Sequence, residues 1–389
     1  MGHKKSALED MELNLMQGGD VLVLRAKTIE LMQTKELTHT QRLNSEMNLT
    51  EMRKNKSYLE SYPRRIVLEL TNICNLNCIM CGRNDTYFEP TVFNIDWLHK
   101  LDPIMPYVEE VTLMGWGEPT LHSNFEYILQ YINKYNARKY FCTNGTRLGE
   151  LKSAIFDNHV DIIAVSLDGA TKEINNEIRL GSDFNMIINN IKEIVAEKKD
   201  RKTQYPYINF VTTLMKRNLN ELVEIITLAS EIGLEEVKAV YFTSFSPVMD
   251  NEALYGHQGI VKDIFNQSIE HASKLGIHIK LPEIQGEDNA GDKPHKDCFV
   301  AWRDLFIGSD GYVRPCMSTP IKFCNLNSYK NIKDIWNSEY FVNFRRSINA
   351  ENMAHSCKKC YQSSCANWNK KESFIQTGEE FYPQLETGS

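Results

Sequence analysis

Hydrophobic and polar positions change rhythm twice along the chain. Residues 1 to about 60 are polar and helix-prone, with Leu, Met, Glu and Lys prominent and Gly18-Gly19 as an interruption. They read as a helical N-terminal extension over 1–60. From Arg65, short β-branched and aliphatic runs begin. These are Arg65–Leu70, Glu110–Met114, Lys139–Cys142, Ile162–Leu167, Ile208–Leu214 and Val237–Phe242. Runs of this length and composition predict strands. Between them Phe125 to Lys134, Ile187 to Ala196 and Glu221 to Ile232 repeat apolar residues at helical spacing. Gly233 is a C-cap signal at the end of the last.

Six strands alternating with helices predict parallel βα units over residues 61–283. They could form an open doubly wound sheet or a full or partial TIM-type barrel. In each case chemistry gathers at the carboxyl ends of the strands. The second change of rhythm comes after residue 283. Gly286 to Pro294 reads as a linker, and short strands, turns and cysteines follow. They predict a small Cys-rich C-terminal domain over 295–370, with a polar tail beyond.

Composition narrows the function. A chain of 389 residues with 42% hydrophobic residues can build a sizeable core and two or three domains. Its formal net charge of -7 is a poor match for a phosphate backbone, so no nucleic-acid partner is expected. The run Glu197 to Lys202 reads as a solvated helix end. No apolar run approaches the ~20 residues of a membrane span, and no signal-peptide segment opens the chain. No membrane association and a cytoplasmic location are the expectations.

The ten cysteines are clustered: three lie at 74–81, six between 298 and 365, and Cys142 stands alone. In a cytosolic chain clustered thiols point to metal ligation rather than disulfides. Cys74, Cys78 and Cys81 directly follow the first predicted strand, on the first βα loop. Spacings of four and three let a loop fold three thiolates around one face of a cubane. A [4Fe–4S] cluster usually takes four cysteines, so three leave one iron open for a ligand. Zinc or buried free thiols are the plainer alternatives, but structural zinc prefers four ligands and no fourth is evident nearby.

This segment, Cys74-x3-Cys78-x2-Cys81, resembles the signature of the radical S-adenosylmethionine (SAM) superfamily. The resemblance implies a partial (β/α)6 TIM-type barrel and a SAM-binding [4Fe–4S] cluster. Members usually carry an aromatic residue before the third cysteine, beside the adenine; here it is Met80. Gly115-Trp116-Gly117-Glu118-Pro119, after the second strand, is similar to the family's glycine-rich motif, with Trp116 in place of a glycine. The resemblance implies that Gly115, Gly117 and Glu118 meet the methionine amino group. Ser166 and Asp168 end the fourth strand and share a face. They resemble the ribose contacts, and Arg179 resembles the arginine that pairs with the methionine carboxylate. Thr143-Asn144-Gly145 matches a common family turn, and Asn218 after strand five is a further cofactor candidate.

Cys298, Cys316, Cys357 and Cys360 make a second four-thiolate set, with Cys365 as a substitute for one of them. Spacing alone fits zinc or a fully ligated cluster equally. Gly311 to Cys316 reads as a hairpin turn into a ligand; Asn331–Trp336 and Glu339–Phe344 read as helix. The pattern resembles the SPASM and twitch auxiliary-cluster domains, which implies one auxiliary [4Fe–4S] cluster. Function by resemblance is then reductive cleavage of SAM to a 5′-deoxyadenosyl radical, hydrogen abstraction from a substrate C–H, and oxidation through the auxiliary cluster. The enzyme class expected is a radical SAM oxidoreductase, served by a flavodoxin or ferredoxin-type electron donor. A polyol, amino sugar or nucleotide-type substrate is favoured. Maturation of a ribosomal peptide and redox-neutral epimerisation are alternatives. For epimerisation Cys142, Cys324 or Cys365 would return a hydrogen atom. A non-catalytic zinc- or cluster-binding module is the reading from a different class.

Overall fold

The structure, a computed structural model, describes residues 35–85, 89–245, 247–282, 284, 298, 300–317, 319 and 321–358. The helix α1 (His39–Arg53) opens on a Thr38 cap that exchanges bonds with Gln41. Apart from Leu49, its buried face is polar. Gln41 donates to the carbonyls of Val108 and Asn136, Asn44 to Tyr62, and Asn48 to Trp302, while Glu51 accepts from the Glu60 and Ser61 amides. Those residues lead into four different strands. The helix is therefore stitched across the amino-terminal end of the sheet, away from the first cysteine loop.

Ten strands form one sheet. They are β1 (Arg65–Leu68), β2 (Glu110–Leu113), β3 (Arg138–Thr143), β4 (Ile162–Ser166), β5 (Tyr207–Leu214), β6 (Glu236–Tyr241), β7 (His278–Lys280), β8 (Asp304–Ile307), β9 (Tyr312–Arg314) and β10 (Cys324–Asn325). Their order is β10-β9-β8-β1-β2-β3-β4-β5-β6-β7. Strands β8 and β1 to β7 run parallel. The two ends of this run share no ladder among the described residues, so the barrel is partial, as expected. It is wider than six strands, because β7 and β8 extend it. The C-terminal segment thus builds part of the same sheet: Arg65 of β1 sits in register with Asp304 of β8.

Helices α2 (Phe125–Ile132), α3 (Lys152–Asp157), α4 (Lys172–Ile178), α5 (Phe184–Asp200), α6 (Leu222–Ile232) and α7 (Gln258–Leu275) connect the strands. Gly233 closes α6 with φ 91°, a left-handed conformation that suits glycine. Alternation along the strands divides two faces. Phe141, Ile163, Val165, Phe210, Val237 and Ala239 enter the main apolar core beneath the helices. Tyr140, Ile162, Ala164 and Tyr207, with Cys142 and Val211, line the inner face. Three strands of flat sheet span about 14 Å. Cys142 on β3 nevertheless feels the charge of Lys238 on β6, because the sheet curls around this face.

Helix α8 (Val300–Arg303) leads into β8, and α9 (Ile332–Trp336) and α10 (Glu339–Ser347) follow β10. Arg345 locks them together. Its guanidinium donates to the carbonyls of Ala301, Ser57 and Trp336, and it stacks 4.4 Å from the Trp336 ring.

Candidate functional site

The chain crosses the carboxyl end of β1 through the first cysteine loop. The Cys81 amide donates to the Cys78 carbonyl at 3.0 Å, and the Asn77 and Ile79 amides donate to the Leu180 and Ile178 carbonyls. The loop is so tied to the chain around Arg179. Cys74 Sγ lies 3.9 Å from Asn144 Nδ2, and Cys78 Sγ lies 3.9 Å from Arg179 Nη1. Burial pushes the Cys78 thiol up to about 11, opposed by Arg179 and reinforced by Cys81 and Cys74. Burial also raises Cys81. The mutual influence places the three thiols around one small volume. Among the described residues no three His, Cys, Asp or Glu side chains close on one point tightly enough for a single metal ion. A cubane takes each thiolate on a different iron, so its ligands stand further apart. Three convergent thiols flanked by an arginine and an amide fit such a cluster, and its binding would release their protons.

Gly117 explains how the second loop reaches the first. A Cβ on Gly117 would lie 2.3 Å from the Thr71 carbonyl oxygen and 2.4 Å from that of Ile73. Glu118 is next, and its amide donates to the Ile73 carbonyl at 2.9 Å. Its buried carboxylate accepts from the Thr120 amide and hydroxyl, the Thr143 hydroxyl and the Asn144 amide. Burial still raises its pKa, with Thr120 and Asn144 opposing. Glu118 is therefore a hub between the β2 and β3 loops, since a carboxylate has about four acceptor sites. Gly115 packs against the Glu69 side chain, where a Cβ would meet it.

Asp168 and Arg179 pair with each other at 2.7 Å, both buried. Asp168 also accepts from the Thr213 amide at 2.7 Å. Asn218 is fully buried. It donates to the Asp168 and Thr213 carbonyls and accepts from the Met215 amide, so its side chain braces the ends of β4 and β5. Ser166 ends β4, partly exposed. Met80 packs with Ile178, Met215 and Phe242 in a small apolar cluster. The ring of Trp116 meets Phe245 edge-on at 5.9 Å.

Glu69 was not singled out from the sequence. Its carboxylate accepts from the Trp116 amide and from the Ser309 amide and hydroxyl. One side chain thus joins the β2 loop to the turn after β8. The only signal was a charge within an aliphatic run, Arg65–Leu70.

Of the second cysteine set, Cys298, Cys316 and Cys357 line one pocket with Pro315, Thr319 and Phe344. Cys360 and Cys365 lie outside the described residues. The Thr319 and Ser356 hydroxyls bond at 3.1 Å in the wall. A pocket that gathers three thiols among apolar side chains fits a thiolate-held cluster. Cys316 follows Arg314, which pairs with Phe306, so the pocket lies towards the amino end of β8. Cys324 is buried in the main core, where burial pushes its thiol up to about 12. Cys142 faces the inner side of the sheet, 3.2 Å from the Tyr140 hydroxyl; burial pushes it up to about 11.

A parallel, partly closed α/β sheet with a three-cysteine loop after its first strand defines a SAM-dependent radical enzyme. The radical SAM superfamily profile matches residues 68–229, and that of the iron–sulfur cluster-binding SPASM domain matches residues 298–361. The chain thus carries a radical SAM domain followed by a SPASM domain. Enzymes of this kind bind SAM and a [4Fe–4S] cluster, and SPASM domains bind auxiliary iron–sulfur clusters. The tungsten-containing aldehyde ferredoxin oxidoreductase cofactor-modifying protein of Pyrococcus furiosus is 26% identical over 317 residues, 76% of this chain and 86% of that one. The AdoMet-dependent heme synthase of Methanosarcina barkeri is 26% identical over 345 residues, 82% and 94% of the two chains. SuiB of Streptococcus suis, bound to its precursor peptide SuiA, shares the fold. It has a TM-score of 0.58 and 15% identity over 95% of this chain and 88% of that one. No helix among the described residues is long and apolar enough to cross a membrane.

Proposed function

We propose that this protein is a radical SAM oxidoreductase that acts on a small molecule inside the curl of its sheet. The observation that carries the reading is the pocket that gathers Cys298, Cys316 and Cys357. With Cys360 they would hold an auxiliary [4Fe–4S] cluster with no open iron, suited to take an electron rather than to bind substrate. Cys74, Cys78 and Cys81 would hold the first cluster. When bound, that cluster and SAM supply the electron and the 5′-deoxyadenosyl radical that removes a substrate hydrogen.

The chain's own residues have separable tasks. Gly117 lets the β2 loop lie against the cysteine loop. Glu118 holds the β3 turn beneath Asn144, beside Cys74. Arg179 sits between Asp168 and Cys78, placed to exchange its carboxylate partner for that of SAM. Ser166, partly exposed at the end of β4, would meet the ribose of SAM, and Met80 and its apolar neighbours would offer a face for the adenine. The electron outlet at the amino end of β8 leads away from the chamber at the carboxyl ends. Two relatives that cover 76% and 82% of this chain are named for work on cofactors, which supports a small-molecule substrate.

Iron analysis after anaerobic reconstitution tests the reading. Two cubanes require about eight irons per chain. The triple variant Cys74→Ala, Cys78→Ala, Cys81→Ala should keep about four and form no 5′-deoxyadenosine from SAM under a strong reductant. The triple variant Cys298→Ala, Cys316→Ala, Cys357→Ala should also keep about four, and retain some cleavage. Zinc in place of iron, or equal iron in wild type and the second variant, would sink the proposal.

A further inference from the structure

The inner face of the curled sheet is charged, and its charges can be paired one by one. At the amino end, Arg65 bonds Asp304 and lies 4.0 Å from Glu110, and Arg138 lies 3.7 Å from Glu110. Arg303 adds a second cation to Asp304 at 2.7 Å. On the far edge Lys280 lies 3.4 Å from Glu236, which also receives the Tyr207 hydroxyl and the Asn209 amide.

Lys238 is the exception. It projects from the middle of β6 and is 8% exposed, yet its ammonium has no hydrogen bond or ion pair with any described residue. Its neighbours Val237 and Ala239 enter the outer core, so its side chain faces the curl. Register places it level with Ser166: Ser166 pairs with Val211, and Val211 with Lys238. The groups that bear on it are Cys142, Lys280 and Glu236. Cys142 is no counter-ion, because burial keeps its thiol protonated. Lys280 repels it, and Glu236 is already shared among three donors. The side chain as a whole is buried while its ammonium still opens on the space inside the curl, and cations held with so little water concentrate where a ligand completes them.

We propose that Lys238 receives an oxyanion of the substrate, a carboxylate or a phosphate, inside the curl at the level of Ser166. This rests on the reading that the curl is the substrate chamber, and it adds the chemical class: a small molecule that carries an anionic group. A lysine suits the role because a compact ammonium serves either oxyanion as a point charge. Burial brings its pKa down to about 8, so the amine is charged at neutral pH and reactive just above it.

Labelling of the wild-type protein tests the assignment without a folding variant. Reconstituted protein is treated at about pH 8 with limiting trinitrobenzenesulfonate, and the peptide carrying Lys238 is followed by mass spectrometry. The protein is tested alone, with SAM, with SAM and inorganic phosphate, and with SAM and succinate. Protection by phosphate or by succinate, about fivefold at about four times its Kd, is expected. Which of the two protects separates a phosphate site from a carboxylate site. Protection by SAM alone to the same extent assigns Lys238 to the cofactor and overturns the proposal. So does absence of protection by both anions. Lys238→Arg should keep a saturable thermal shift with the protecting anion, and Lys238→Met should lose it. Wild type that cleaves SAM but shows no anion protection refutes this inference alone; wild type without cleavage refutes the proposed function instead.

Discussion

Gly117→Ala is the sharpest single test of how the site is built. The added Cβ would lie 2.3 Å from the Thr71 carbonyl oxygen, and contacts under 3.0 Å are essentially never seen. The β2 loop and the cysteine loop must therefore separate by at least 0.7 Å, the difference between those two distances. The Glu118 amide donates to the Ile73 carbonyl at 2.9 Å, and the same movement would stretch that bond to about 3.6 Å, beyond hydrogen-bond range. Overpacking costs about 1–3 kcal/mol and the lost bond about 1 kcal/mol. A loss of about 2–4 kcal/mol lowers Tm by about 2–5 °C in a chain of this length, if it unfolds as one unit. The functional effect should be larger, because Ile73 immediately precedes Cys74 and carries the displacement into a ligand. Disturbing the support of a metal ligand typically costs about 10–100-fold in affinity. After anaerobic reconstitution, iron should fall by about four per chain, and 5′-deoxyadenosine formation by about tenfold or more. Gly259→Ala is the control, since nothing lies within 4 Å of its added Cβ. A Gly117→Ala protein with full iron, wild-type cleavage and unchanged Tm would refute the reasoning.

Three further outcomes are expected. Glu69→Gln replaces one acceptor oxygen with an amide that faces either Trp116 or Ser309, so it should lower Tm by about 2–4 °C and slow SAM cleavage; differential scanning calorimetry and a 5′-deoxyadenosine assay check both. Lys238→Met should raise Tm below about pH 8. That gain should shrink between about pH 8 and the ordinary lysine pKa of about 10.4, because the folded wild type sheds its proton before the unfolded chain does and gains stability across that window. A gain independent of pH would contradict the buried-charge account. Arg345→Lys should cost about 2–4 kcal/mol in a denaturant titration, because an ammonium cannot serve three carbonyls and stack on Trp336 at once.

Much of this architecture was readable in advance, for identifiable reasons. The strands from Arg65 to Tyr241 are aliphatic, bounded by turns, and spaced by helices with clear periodicity. The weak edges were not readable. β7 is His278-Ile279-Lys280, with one apolar residue, and β8 opens on Asp304, whose charge is acceptable only because Arg65 and Arg303 meet it. Helix α1 hid its contacts because its buried face carries Gln41, Asn44, Ser45, Asn48 and Glu51 beside a single leucine, Leu49, the reverse of an amphipathic pattern. The cysteine spacings were visible. The hydrogen-bond hubs were not: Glu118 and Asn218 stand out in the sequence only as cofactor contacts and Glu69 not at all, because a lone polar residue beyond a strand does not announce its partners.

The parallel run is finished by a strand that arrives late. Asp304 meets Arg65 across 239 residues of chain, and Ser309 supplies the partner that steadies Glu69 under the Trp116 loop. During synthesis the first cysteine loop is therefore complete in sequence long before its surroundings exist. Its outer neighbour is translated only after the whole βα series. The loop's full set of neighbours is therefore present only once β8 has been made and has paired with β1. A chain cut before residue 304 would keep Cys74, Cys78 and Cys81 and lack the frame that holds their loop in place.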